Sequence, residues 1–69
     1  QTLQVSIQKV DKSIIYNIMT NDFCDKIKRV YKTKEKIIVE YSIEDKALFE
    51  NILSYFRKTL KIDIDFEIF

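Results

Sequence analysis

Glycine, proline, histidine and tryptophan are all absent from this chain. Each absence excludes something. Without glycine there is no Gly-rich phosphate cradle and no dinucleotide fingerprint. Without histidine there is no imidazole base at neutral pH, no His-paired nucleophile and no His metal ligand. Without glycine and proline, every turn must be made by residues with ordinary backbone limits. The lone Cys24 has no disulfide partner in the chain, which fits a reducing, cytoplasmic setting and a thiol buried as a small hydrophobe. No apolar run approaches the ~18 residues of a membrane span, so no membrane partner is expected.

What remains is 46% apolar, with five Phe and four Tyr among 69 residues. That is ordinary for one small globular domain and too apolar for disorder. Twelve basic and eleven acidic residues leave a net charge of +1, which argues against a generic polyanion binder. Strand-like sequence at both ends is read as the mark of a module trimmed from a larger protein.

The clearest local signal runs from Leu60 to Phe69. Positions 60, 62, 64, 66 and 68 are apolar and 61, 63, 65 and 67 are charged. Period two over this length predicts a strand with one buried and one wet face. Leu3, Val5 and Ile7 alternate with Gln4, Ser6 and Gln8 in the same way. Between Ile43 and Thr59 the period changes to three and four, through Ala47, Leu48, Ile52, Tyr55 and Phe56. This predicts an amphipathic helix of about four turns, with Ser42 as its N-cap and Asp45 in a loose capping box. Lys36 to Ser42 and Ile27 to Thr33 read as a hairpin turned at Lys34-Glu35. Its expected register sets Lys32 opposite Ile37, Val30 opposite Val39 and Arg29 opposite Glu40, with Tyr31 and Ile38 on the outer face.

Lys12 to Lys26 is ambiguous. As a helix it aligns Ile14, Ile15, Ile18, Met19, Cys24 and Ile27, with Asp11 or Ser13 as cap. As a strand it alternates Ile14, Tyr16 and Ile18, and its β-branched content weakens the helix reading. Helix is preferred. The expected fold is then a ferredoxin-like α+β sandwich of order βαββαβ. Its four-stranded antiparallel sheet has spatial order 4-1-3-2, with two helices on one face. The alternative is a mostly antiparallel meander with a single helix.

Two charged clusters are candidate binding residues. Lys28, Arg29, Tyr31, Lys32 and Lys34 form a basic hairpin suited to nucleic acid or an acidic partner, with Tyr31 as a stacking platform. The plainer reading, lysines that discourage strand addition at a sheet edge, is preferred. Asp63, Asp65 and Glu67 share one strand face, with Asp63 and Asp65 ~6–7 Å apart. They suit a basic partner. A metal is not expected, because it needs further oxygen ligands and the neighbouring strand offers only Gln4, Ser6 and Gln8. In the 4-1-3-2 order these clusters lie on opposite edges, so the domain is neutral overall but dipolar. The aromatic set Tyr41, Phe49, Tyr55, Phe56 and Phe66 is assigned to the core, and Phe69 to the wet side of the last strand.

The run Val5-Ser-Ile-Gln-Lys-Val-Asp-Lys-Ser-Ile-Ile15 resembles the strand-then-helix passage of LAGLIDADG-type homing endonuclease repeats. The acidic metal-binding helix that names that family is missing here, so the resemblance carries over no catalytic residue. The expected function is non-enzymatic, without cofactor. The domain is read as a protein-interaction or self-association module docking through a sheet edge or the open sheet face, with nucleic-acid binding as the alternative.

Overall fold

The structure is a computed structural model and describes residues 1–8 and 12–69. Its order is β1 (Thr2–Gln8), α1 (Lys12–Thr20), a 3₁₀ turn (Cys24–Lys26), β2 (Ile27–Lys32), β3 (Lys36–Ser42), α2 (Lys46–Ser54), a π-helical turn (Tyr55–Thr59) and β4 (Ile64–Ile68). The strands form one sheet in the order β2-β3-β1-β4, which from the other edge is the expected 4-1-3-2. Every neighbouring pair is antiparallel. Residues 12–20 are helix, which removes the single-helix alternative. The Asp11 cap lies outside the described residues, and Ser13 lies within the first turn of α1.

The central pair β1 and β3 builds the core. Val5 stands opposite Val39, Leu3 opposite Tyr41 and Ile7 opposite Ile37. All six are fully buried on the same face, and Ile18, Ile52 and Phe56 close over them from the helical layer. Both helices therefore cover one side of the sheet and leave the other open. Each such aliphatic side chain stabilises the fold by about 1.5–3 kcal/mol. The Tyr41 ring packs edge-on to Phe56 at 6.2 Å. Its hydroxyl is buried without a hydrogen-bond partner among the described residues. Burial pushes its pKa well above the ordinary phenol range, and Tyr55 and Cys24 add to the shift.

Polar side chains take over the work that glycine does at most chain reversals. At the end of α1, Asn21 Nδ2 donates to the carbonyls of Asn17 and Ile18, both at 2.9 Å, while its Oδ1 accepts from Phe23 N. In the hairpin, Thr33 Oγ1 accepts from Lys36 N at 3.0 Å. Neither Lys34 nor Glu35 has positive φ, so the turn is not of the primed type, as its sequence predicts. After α2, the π-helical turn closes with Leu60 N donating to Tyr55 O, and Lys61 then adopts a left-handed conformation at φ 56°.

Several boundaries differ from expectation. Ser42 does not cap α2, because Ile43 N still bonds Gln1 O and prolongs the strand-like path. Asp45 is the N-cap instead, its Oδ1 accepting from Leu48 N at 2.8 Å. β4 begins at Ile64, because Leu60 and Ile62 pack against the core from irregular backbone. Cys24 is exposed rather than buried, since the 3₁₀ turn carries it out of the α1 face. Met19, expected on the apolar stripe of α1, is 49% exposed.

Two substitutions test this account. Lys61→Gly relieves the left-handed backbone and should raise stability by about 0.5–1 kcal/mol in urea unfolding. A destabilised Lys61→Gly variant would contradict the assignment. Tyr41→Phe deletes a buried hydroxyl without a partner and should raise stability by about 1 kcal/mol. A loss of that size would show that the hydroxyl is bonded after all.

Candidate interaction surface

The open sheet face is built in rows by the strand register. One row reads Asp65, Ser6, Ile38, Tyr31 and the next reads Glu67, Gln4, Glu40, Arg29, each from β4 across to β2. The expected β2–β3 register is reproduced at all three positions, Lys32–Ile37, Val30–Val39 and Arg29–Glu40.

At the β2 side the face is a closed polar network. Arg29 Nε donates to Glu40 Oε1 at 2.9 Å and Nη2 to Oε2 at 3.3 Å, a bidentate pair. Gln4 Nε2 donates to Glu40 Oε2 at 3.2 Å and to the Tyr31 hydroxyl at 3.3 Å. The Arg29 guanidinium carbon lies 4.6 Å from the Tyr31 ring centroid. Glu40 is only 8% exposed. Its carboxyl is held below its ordinary pKa by the hydrogen bonds from Arg29. Burial opposes this, and Gln4 adds to it. The same partner raises Arg29 further.

A β-bulge shapes this edge. Ile27 pairs with Tyr41 and Arg29 with Glu40, so Lys28 is an extra residue on β2. Lys28 Nζ reaches across to Thr2 Oγ1 at 3.0 Å on the open face. The signal was in the sequence: two polar residues, Lys28 and Arg29, separate the inward Ile27 and Val30 where alternation allows one. Gln4 carries no comparable signal, because only the fold brings it between Glu40 and Tyr31.

The predicted basic cluster is therefore divided. Lys28, Arg29 and Tyr31 share the open face, Lys32 lies on the opposite face beside Ile37, and Lys34 sits in the hairpin turn. Arg29 is already paired and covers one face of the Tyr31 ring. Of the acidic residues, Asp65 and Glu67 lie on the open face of β4, while Asp63 precedes the strand. Asp63 and Asp65 line a cleft of about 110 Å³ with Ser6, Gln8 and Lys36, so a lysine accompanies these two carboxylates. Among the described residues, no group of three or more His, Cys, Asp or Glu side chains is placed to hold a metal ion.

The β4 edge is where the structure departs most from its sequence. Phe66 is 38% exposed and Ile68 43%, against an expected buried face. From the helical layer Phe49 meets Phe66 with ring centroids 5.6 Å apart, and the Arg57 guanidinium lies 5.8 Å from the Phe66 ring. Gln1, Ile43, Phe49 and Ile68 border a shallow depression of about 250 Å³ beside this edge. Thr2 and Phe69 exchange both backbone hydrogen bonds. By alternation Glu67 and Asp65 also bond to β1, so the N–H and C=O groups of Ile64, Phe66 and Ile68 point outward from the sheet. Phe69 is 64% exposed, on the side expected for it.

The network has a pH signature. A carboxyl whose pKa is lowered by folding adds stability above its ordinary value of 4.5 and loses it as pH falls through the lowered value. Thermal unfolding from pH 7 to pH 3 should show Glu40→Gln less stable than wild type at neutral pH, with the gap closing below pH 4.5. A gap that stays constant over the whole range would contradict the charged pairing.

Comparison with protein-family models, with curated proteins and with solved structures gave no match.

Proposed function

We propose that this chain is a ferredoxin-like interaction module that docks another protein by strand addition at the β4 edge. The observation that supports the reading is the combination found on β4. Outward-pointing backbone groups, exposed Phe66 and Ile68, and the carboxylates Asp65 and Glu67 belong to one edge strand. Backbone pairing supplies affinity in this mode and alternate side chains supply specificity. The fitting partner is an extended segment with apolar residues toward the helices and basic residues toward the open face. The order β4-β1-β3-β2 supports the fold name, since it leaves β4 at an edge. The function is docking rather than catalysis. The exposed Cys24 thiol supports a cytoplasmic location, where a reducing environment keeps it free.

A display library of random extended peptides panned against the protein tests this reading. The enriched sequences should alternate apolar with Lys or Arg, and should shift the amide resonances of Ile64, Phe66 and Ile68. Asp65→Lys with Glu67→Lys should weaken the selected peptides by about tenfold or more. Enrichment of peptides that bind elsewhere, or indifference to that double substitution, would overturn it.

A further inference from the structure

We propose that the segment fitting the β4 edge is β2 of a second copy of this chain. The inference rests on the reading of β4 as a docking edge and names its occupant.

Two strands share a pattern. β3 presents Ile37-Ile38-Val39-Glu40 to β2, opposite Lys32, Tyr31, Val30 and Arg29. β4 carries Ile64-Asp65-Phe66-Glu67, with apolar residues at the first and third positions and a glutamate at the fourth. Laid antiparallel along the free side of a second copy's β2, β4 can adopt the register that β3 holds on the other side. Phe66 then faces Val30, Ile64 lies along the aliphatic stem of Lys32, and Glu67 meets Arg29. The guanidinium of Arg29 would be flanked by a glutamate from each neighbouring strand.

The backbone fits the same register. Thr33 N bonds Lys36 O, so by alternation Tyr31 and Arg29 bond to β3 while Val30 and Lys32 point outward. On β4 the outward residues are Ile64 and Phe66. Pairing Phe66 with Val30 and Ile64 with Lys32 satisfies outward groups on both strands. Direction also agrees. In the order β4-β1-β3-β2 with antiparallel neighbours, β4 and β2 run in opposite directions. A copy displaced sideways therefore continues the antiparallel sheet, with all helices on one face.

Charge selects this arrangement over the symmetric ones. A β4–β4 pair centred on Phe66 sets Asp65 opposite Glu67, and a β2–β2 pair brings together two strands that each carry Lys28, Arg29 and Lys32 and no acidic residue. Like charges directly opposite destabilise a ladder. The β4–β2 contact is heterologous, so copies add head to tail instead of closing as a two-fold dimer. The bulge at Lys28 ends the regular ladder after about four residues, which makes the contact a weak one.

Sedimentation equilibrium at low salt, up to about 0.5 mM chain, is the test, because contacts this small are weak. The weight-average mass of the wild type should climb above the monomer's 8.3 kDa with concentration. Raising the salt to about 0.5 M should weaken association at least about threefold. Asp65→Lys with Glu67→Lys blocks β4. Lys32→Pro blocks β2 by removing an outward N–H, a place where an edge strand tolerates proline. Circular dichroism should show both variants folded. Each alone should stay monomeric, and a mixture of the two should form heterodimers and nothing larger, since one intact β4 meets one intact β2. A monomeric wild type throughout, or self-association of either variant, would overturn the inference. A monomeric wild type whose β4 still takes library peptides removes only the second copy. Failure of the peptides removes the edge reading itself.

Discussion

The register between β1 and β3, with Val5 opposite Val39, is the constraint on which the rest depends. It sends Leu3, Val5, Ile7, Ile37, Val39 and Tyr41 to one face and Gln4, Ser6, Ile38 and Glu40 to the other. A slip of one residue would turn one strand over, burying Gln4 and exposing Val5 or burying Glu40 and exposing Val39. The helices supply Ile18, Ile52 and Phe56 to the side this register makes apolar, and the Arg29–Glu40–Gln4–Tyr31 network forms on the side it makes polar. Core and surface are therefore set by the same pairing.

That arrangement also explains why the two edges differ. Within the sheet the fully buried side chains belong to the two central strands, and cover thins toward either edge. On β2 the inward Ile27 and Val30 are half-buried, and the outer face is occupied by Arg29 and Tyr31 held in a network. On β4 no such network forms among the described residues. Its inward Phe66 and Ile68 reach past the helical layer into solvent, and although Lys36 shares the cleft of Asp65, the neighbouring β1 offers the carboxylates no cation. An edge with open backbone, apolar side chains and one sign of charge is the feature a folded domain ordinarily blunts.

Much of this could be read from the residues. The hairpin register was legible because alternation on both strands and the Lys34-Glu35 turn admit one pairing that joins Arg29 to Glu40. The order of elements followed from changes of period. The end of the helical stretch at Thr59 was legible from the change of period, but the π-helical turn from Tyr55 and the left-handed Lys61 were not, because the usual marks of such an ending, glycine and proline, are absent. Leu60 and Ile62 extended the apparent strand, since a period of two cannot distinguish a paired strand from a loop that buries alternate residues. The exposure of Phe66 and Cys24 depends on how far the helical layer spreads, and no local pattern encodes that width. The candidate contacts Lys28, Arg29 and Tyr31 did come together, but as partners of Thr2, Glu40 and Gln4.

The central claim is that β4 is a paired strand on one side and an open edge on the other. Residue-resolved amide hydrogen exchange in dilute protein tests it most directly. The amides of Asp65 and Glu67, bonded to β1, should exchange slowly, and those of Ile64, Phe66 and Ile68 should exchange fast. Alternation of this kind along β4, beside uniform protection of Val5 and Val39 in the centre, is the predicted result. Uniform protection along β4 would mean that its edge is already covered and would contradict the account.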